Sequence, residues 1–256
     1  MTVRDIYEYI NTLAPFSSQD SFDNSGLLVG NPDADVHRIA VCLDITNEVV
    51  DEAAKLGVSL IISHHPVIFN PLKNVLVGNP VYSLISSGIS AICAHTNLDM
   101  AASGSVTDLM LELLDIKGSE VLEVVNSDGT GYGRVAELTF DTTAKCLAEM
   151  CKTAFDCQQV RYSDAGSTIK KVALCSGAGN SVIAAALSKG CDALITGDIK
   201  WSSFVEAQNK GLSVIDAGHF HTENIMSSYL ASLIEQQFPL VDVFVPDSNT
   251  DICRYV

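Results

Sequence analysis

Basic residues are scarce in this chain. Its 256 residues include 15 Lys and Arg against 31 Asp and Glu, which gives a formal net charge of -16 at pH 7. Nucleic-acid binding draws on clustered Lys and Arg that neutralise phosphates. We therefore expect no DNA or RNA partner, and we interpret the acidic surface chiefly as a solubility feature.

Long hydrophobic runs are also missing. No window reaches the roughly 18 consecutive apolar residues that a membrane helix needs. The opening stretch MTVRDIYEYINTLAPF has polar groups at helical spacing and lacks the apolar core and cleavage site of a secretory signal. The composition, 47% hydrophobic and 18% charged, is that of a well-folded globular protein. We expect a cytoplasmic protein that does not bind a membrane.

Paired cysteine motifs are absent, although the chain has eight cysteines. Several lie in or beside apolar segments, and those in the middle of the chain follow one another without a CxxC pair. The first group is Cys42, Cys93, Cys175 and Cys191, and the second is Cys146, Cys151 and Cys157. We predict buried free thiols in a reducing cytosol rather than disulfides.

Short β-rich runs alternate with helical stretches along the chain, which predicts an α/β fold. Several strands are apolar nearly throughout, as expected for strands covered on both faces. The predicted strands are 26–30, 38–45, 58–63, 89–94, 134–140, 159–163, 171–176, 193–196, 212–217 and 241–245. The predicted helices are 3–13, 47–56, 80–87, 104–114, 142–154, 180–189, 202–210 and 222–236, with Asn180 and Thr222 as expected helix starts.

A domain boundary is predicted near residues 117–133, KGSEVLEVVNSDGTGYG, where Gly, Ser, Asn and Asp cluster. The chain would then form two linked three-layer α/β halves with mostly parallel or mixed sheets. The first half is expected to span residues 1–125 and the second residues 126–256. The C-terminal segment is expected to pack back on the first half.

Four glycines share one sequence context: each is predicted to end a helix and is followed by a strand and then by polar residues. The stretches are GVSLIISHH, GISAICAHT, GCDALITGD and GLSVIDAGH. The polar pairs at the same offset are His64 and His65, His95 and Thr96, Gly197 and Asp198, and Gly218 and His219. Ligands of open α/β sheets collect beyond the carboxyl ends of the strands, so these groups are predicted to converge. The spacing indicates either a distant internal duplication or simply βα units of fixed length.

Five of the six histidines lie in the short segments SHHP, AHTNLD and GHFHTE. These segments supply, in order, His64 and His65, His95 and Asp99, and His219 and Glu223. Imidazole with carboxylate is a ligand set for Zn, Fe, Mn, Ni or Co, and no cysteine ligand lies nearby to indicate a structural zinc site. Such a set suffices for two divalent ions a few ångströms apart, which would lower the pKa of bound water.

Each of these features also has an ordinary structural interpretation. The adjacent His64 and His65 can serve one centre only if the strand has ended before them or if the two rings hold different metal ions. A purely hydrogen-bonded role is an equal alternative. HxxxD and HxxxE spacings also arise as solvated pairs. His37 is expected at the surface, and for His221 pocket lining and exposure remain open.

Several carboxylates could orient metal-bound histidines by accepting their second N–H, although each could equally be a turn or cap residue. These candidates are Asp44, Asp198, Asp216, and Asp23 with Asn24. The segment CSGAGNS (175–181) could bind an anion at a helix start, but it lacks GxGxxG and GxxxxGK, so an ordinary tight turn is favoured.

Taken in order, DNSGLLVG, SHHP, HTNLD, TGD and DAGHFHTE resemble the family of dinuclear-metal hexamers called GTP cyclohydrolase I type II homologues, or interacting-factor-three-like proteins. The resemblance covers essentially the whole chain. It implies two linked α/β halves with two divalent ions between them, in a homohexameric ring whose cavity the sites face. The ligands that it implies are His64, His65, Asp99, His219 and Glu223, with His95 beside them. Phe22 and the segment GDIKWSSF depart from the family pattern without touching these ligands.

The leading functional hypothesis is a metal-dependent hydrolase that acts on a nucleotide-like or phosphorylated small molecule. Its cyclohydrolase version would attack the purine ring of GTP, with His95 or His221 moving protons and Glu223 also acting in catalysis. The alternative is a non-catalytic metal-handling or regulatory oligomer that binds a protein partner. A third possibility is an ordinary α/β binding domain with coincidental histidines.

Overall fold

The computed structural model describes residues 1–256 as an α/β protein with two sheets. The strands are β1 (Gly26–Val29), β2 (Arg38–Cys42), β3 (Leu60–Ser63), β4 (Ser90–Cys93), β5 (Glu120–Val124), β6 (Gly131–Thr142), β7 (Arg161–Ser163), β8 (Ile169–Ala178), β9 (Ala193–Gly197), β10 (Ser213–Asp216) and β11 (Asp242–Phe244). The helices are α1 (Val3–Leu13), α2 (Asn47–Lys55), α3 (Pro80–Ser87), α4 (Thr96–Asp99), α5 (Val106–Leu113), α6 (Ala144–Ala154), α7 (Ile183–Ser188), α8 (Trp201–Asn209), α9 (His219–Glu223) and α10 (Ile225–Gln237). None of the helices combines the length and the apolar composition that crossing a membrane requires.

The first unit comprises Met1–Leu98 and Met226–Thr250. Its sheet has the strand order β1-β4-β3-β2-β11, in which only β1 runs antiparallel to its neighbour. The central strands β3 and β4 are buried along their whole length, which explains their unbroken apolar sequence. Because these two strands are parallel, the residues that follow them emerge at the same edge of the sheet.

The second unit comprises Asp99–Ile225 and Asp251–Val256. Its sheet has the order β5-β6-β8-β9-β10-β7, with β8, β9 and β10 parallel and the other three strands antiparallel to their neighbours. Successive residues of β8 alternate between two apolar clusters, since Val172 and Leu174 belong to one and Ala173 to the other. This alternation places a core on each face of the sheet, as the predicted three-layer architecture requires.

The predicted boundary region, residues 117–133, lies inside the second unit. Strand β5 and the start of β6 pair antiparallel across it, so its Gly and Asn residues form a hairpin connection. The chain instead passes between units at Leu98 and Asp99, and residues 226–250 belong to the first unit.

All ten predicted strands are found, but both predicted helix starts are wrong. Helix α7 begins at Ile183, because the Asn180 side chain instead bridges the backbone of Asp198 and Lys200. Thr222 lies within α9, where its hydroxyl donates to the backbone of the preceding turn. Both side chains bind a tertiary partner or their own helix instead of capping a helix.

All eight cysteines are free and six of them are buried, as predicted, whereas Cys146 and Cys253 are exposed and the prediction of buried thiols is wrong for them. Burial raises the pKa of Cys157 to about 12 and that of Cys191 to about 11, so these thiols stay protonated and unreactive at neutral pH. We expect a thiol reagent near pH 8 to modify only the two exposed residues of the native protein, Cys146 and Cys253. All eight should react after unfolding. Rapid modification of more than two in the folded protein, counted by absorbance, would contradict the placement of the buried thiols.

Candidate metal centre

His64 and His65 lie just beyond the last residue of β3. Their backbone N–H groups donate to Cys42 and Leu43, at 3.2 and 3.0 Å. Successive N–H groups of a continuing strand point to opposite neighbours, whereas both of these donate toward the end of β2. The strand has therefore ended at Ser63, and the two side chains are not obliged to point to opposite faces. The ring centroids of the two histidines are 5.4 Å apart. The condition under which both could serve one centre is met.

The Nδ1 atoms of both rings are held by hydrogen-bond acceptors. His64 Nδ1 lies 2.8 Å from the Ala94 carbonyl oxygen, and His65 Nδ1 lies 2.8 Å from Asp44 Oδ1. A carbonyl or a carboxylate can only accept, so each Nδ1 carries the proton and donates it. In the neutral rings the lone pair then belongs to Nε2, which is the nitrogen available to a metal ion.

His95 follows β4 and is held by Asp23. Its Nδ1 lies 2.8 Å from Asp23 Oδ1, and the carboxylate of Asp23 also accepts from Thr96 and Ser25. Burial raises the pKa of Asp23, but the hydrogen bonds from His95, Thr96 and Ser25 together lower it by a larger amount. The pKa of Asp23 therefore lies well below its usual range. Asp23 is therefore ionised at neutral pH and can stabilise a protonated His95.

The three histidines of the first unit converge. One ring nitrogen from each of His64, His65 and His95 lies within 4.8 Å of the others. His64 is fully buried, whereas His65 and His95 are only partly covered. Two parallel strands thus deliver three imidazoles to one place, as the shared offset from the helix-ending glycines Gly57 and Gly88 predicts.

In the second unit the short helix α9 carries His219 and Glu223 on one face. His219 Nδ1 lies 2.9 Å from Asp198 Oδ2, and its Nε2 lies 2.8 Å from Glu223 Oε2. Because the Nδ1–H group donates to Asp198, the neutral ring directs the lone pair of Nε2 toward the Glu223 carboxylate. Two electron-pair donors directed to the same point suit a bound cation.

Asp99 completes the ligand candidates of the second unit. One carboxylate oxygen of Asp99 lies within 4.8 Å of a carboxylate oxygen of Glu223. Asp99 Oδ1 also accepts a hydrogen bond from the Ser176 hydroxyl at 3.2 Å. Asp99 and Glu223 are 9% and 4% exposed, so two carboxylates are buried near each other. Buried charges of the same sign require a positive partner, and a divalent ion would supply it.

The turn around Gly177 contributes to this site, although its role was not predicted from the sequence. Gly177 has φ +61°, and a Cβ there would lie 2.0 Å from Glu223 Oε1 and 3.3 Å from His219 Nε2. Its N–H donates to Thr222 Oγ1 at 3.1 Å. CSGAGNS therefore acts as the close wall of the carboxylate site. Its glycines were the available signal, but they were interpreted as an ordinary turn.

The remaining candidates have different roles. Asp44, Asp198 and Asp23 each hold a histidine, as proposed for orienting carboxylates. Asp216 holds no histidine; it accepts from the Arg161 side chain and from the backbone N–H groups of Ile199 and Gly218. His221 is mostly buried, with Nε2 3.6 Å from Asp251 Oδ2, and His37 is exposed as predicted.

The donor chemistry fits a metal centre. The ligand groups found in the structure are built from imidazole nitrogens, alone or with carboxylate oxygens, and contain no thiol. Mixed nitrogen and oxygen ligands suit several first-row divalent ions and leave positions open for water or substrate. The acceptors at the Nδ1 atoms supply the second contact that metal-bound histidines usually make.

Comparison with known proteins gives consistent similarities over the whole chain. A protein of Clostridium acetobutylicum named GTP cyclohydrolase 1 type 2 homolog is 34% identical over 266 aligned positions, covering 100% of this chain and 99% of that protein. The GTP cyclohydrolase 1 type 2 of Helicobacter pylori strain J99 is 32% identical over 245 positions, covering 94% and 95%.

A solved structure, the hypothetical protein SA1388 of Staphylococcus aureus, superposes with a TM-score of 0.92 at 27% identity, covering 100% of this chain and 99% of that chain. The Bacillus cereus protein related to NIF3 has the same TM-score at 23% identity, which shows a shared fold. The family model Duf34/NIF3 (NGG1p interacting factor 3) matches residues 1–252, and the chain therefore belongs to this family.

Proposed function

We propose that this protein is a metal-dependent hydrolase with a dinuclear centre, acting on a nucleotide-like or phosphorylated small molecule. It would hold two divalent ions, drawn from Zn, Fe, Mn, Ni or Co. The proposed ligands are His64, His65, Asp99, His219 and Glu223. We further propose that the protein is cytoplasmic and assembles as a homohexameric ring.

One observation carries the proposal: four histidines have Nδ1 bound to an acceptor. The acceptors are the Ala94 carbonyl and the carboxylates of Asp44, Asp23 and Asp198. Histidines at the surface or in a core have no common reason to donate from Nδ1, whereas metal ligands and proton carriers need Nε2 free of its proton. The repeated orientation supports a functional site over coincidence.

The ions, when bound, would act as Lewis acids that lower the pKa of a water molecule. His95 would then accept a proton at Nε2 while its Nδ1–H group stays hydrogen-bonded to Asp23. The ionised Asp23 stabilises the imidazolium that forms, and the proton can be returned to the leaving atom of the substrate. His95 therefore ends each cycle in its starting state. We also assign Glu223 a second role, in which its carboxylate accepts a hydrogen bond that orients the attacking water.

The relatives' name supplies the most specific version of the substrate. In that version, water opens the purine ring of GTP by hydrolysis of a ring carbon–nitrogen bond. The partly exposed His65 and His95 would leave one side of the centre open to such a molecule.

The test is a screen of metal-loaded protein against GTP, phosphodiesters and phosphomonoesters. We expect metal-dependent turnover that falls by at least about 100-fold in His64→Ala, because loss of a ligand exceeds the 10–100-fold effect of losing an outer partner. The exposed His37→Ala is the matched control and should retain full activity. Circular dichroism checks that His64→Ala is folded. Tight metal binding without any turnover would instead support the metal-handling alternative.

A further inference from the structure

Two phenylalanines of the first unit form an exposed pair of rings. Phe22 is 58% exposed and Phe69 is 45% exposed. Their ring centroids are 6.3 Å apart, with an angle of 43° between the planes, so neither ring covers the face of the other. Apolar ring surface is therefore presented to solvent from two separate turns of the chain.

The pair belongs structurally to the histidine cluster. The centroid of Phe69 lies 6.5 Å from that of His95 in an edge-to-face arrangement. Phe22 immediately precedes Asp23, the residue that holds His95. Asn24 Nδ2 donates to the Ile68 carbonyl at 2.6 Å and so ties the turn of Phe22 to the turn of Phe69. The turn that holds His95 through Asp23 thus also carries Phe22, and a separate hydrogen bond ties that turn to the one that carries Phe69.

We propose that Phe22 and Phe69 form a stacking site for a planar heteroaromatic ring of the substrate, such as a purine base. This proposal rests on the hydrolase function above and narrows its substrate class. A phosphate or sugar gains little from an apolar ring face, whereas a flat base stacks on it favourably. A ring lying against Phe69 would lie beside His95 and so next to the histidine cluster. The two phenylalanines would then determine specificity without taking part in the chemistry.

A second copy of the chain is the competing occupant, since exposed apolar side chains also form subunit contacts. The ring contact with His95 and the shared tether favour a small ligand. A contact surface between copies of the chain would not require this ring contact with His95.

The experiment measures binding of GTP and of tripolyphosphate, which lacks the ring, to the metal-loaded full chain by equilibrium dialysis, with the recovered nucleotide checked for integrity. The variants are Phe22→Ala, Phe69→Ala and the double variant. Phe140→Ala is the matched control, because Phe140 is 46% exposed on β6 of the second unit. Metal content and sedimentation are measured on the same samples.

We expect the Kd for GTP to rise about fivefold or more in each single variant and further in the double variant. Replacing an aromatic side chain that stacks on a base by alanine typically weakens binding by about this factor or more. The Kd for tripolyphosphate should stay within about twofold of the wild-type value in these variants, a shift smaller than any stacking loss. Both Kd values of the Phe140→Ala control should stay within about the same limit.

Three results would overturn the stacking site: wild-type protein that holds metal but not GTP, GTP affinity unaffected by both substitutions, or an equal loss of tripolyphosphate binding. Variants that dissociate the oligomer with GTP affinity intact would assign the pair to a contact with a second copy. Metal analysis separates the two failures. An ion-free wild type contradicts the proposed hydrolase, whereas full metal content with unchanged GTP affinity contradicts the stacking site alone.

Discussion

Glu223→Ala is expected to lose bound metal while remaining folded. Glu223 is 4% exposed, lies 2.8 Å from His219 Nε2 and lies near the Asp99 carboxylate. Alanine removes the carboxylate of a proposed ligand, so metal affinity should fall by more than about 100-fold, beyond the effect of losing an outer partner. Folding should survive, because removal of one buried carboxylate relieves its repulsion with the other.

Elemental analysis after reconstitution and gel filtration measures the loss. The control is Glu235→Ala, which removes an exposed glutamate from α10 and should leave the metal content of the protein unchanged. Circular dichroism and thermal unfolding establish that Glu223→Ala is folded. Full metal content in folded Glu223→Ala would remove this residue from the ligand set.

Gly177→Ala should disable the same site through backbone and packing alone. A Cβ at Gly177 would lie 2.0 Å from Oε1 of Glu223 and 2.9 Å from the carboxyl carbon of Glu223. The Glu223 carboxylate must therefore move away from its present position. The φ of +61° adds a conformational penalty of about 1–2 kcal/mol for any residue with a Cβ. We expect a lower free energy of unfolding together with a metal affinity reduced by at least about tenfold, as for a misplaced ligand.

Gly57→Ala separates these two effects. Gly57 has φ +70° after α2, but a Cβ there would meet nothing within 4 Å. This variant should show the same conformational penalty, measured by urea unfolding, and wild-type metal binding measured by competition with a chelator. Equal metal affinities in the two variants would show that Gly177 does not support Glu223.

Burial explains why the strands could be predicted and why one was missed. Strands such as β3 and β9 are apolar and buried throughout, so their sequence alone marks them. Strand β5 has the sequence EVLEV with mostly exposed residues at the edge of its sheet, inside a segment rich in Gly and Asn. Its pairing with β6 depends on a partner strand, which local composition does not reveal.

The ligand candidates were predictable because they follow strands at a constant offset. His64, His65 and His95 come directly after buried parallel strands, and the structure brings these three together. Their hydrogen-bond partners were only partly predictable. Carboxylates such as Asp44 can be proposed from their position, whereas the Ala94 carbonyl that holds His64 has no side-chain signature.

The role of Gly177 could not be predicted, because it consists of a missing side chain. Its effect depends on the distance to Glu223, which lies far away in the chain and comes close only in the folded protein. The sequence shows that a glycine is present but not which side chain requires the space. Steric requirements of this kind appear only with the tertiary structure.

Anomalous diffraction from crystals of the metal-reconstituted protein, recorded at the absorption edge of the bound metal, tests the central claim most directly. The five proposed ligands should surround two strong peaks per chain, with the Nε2 atoms of His64, His65 and His219 at about 2.0–2.1 Å from an ion. Asp99 and Glu223 should supply the oxygen ligands. A map without peaks at these residues, or with ions bound elsewhere on the acidic surface, would contradict the dinuclear centre.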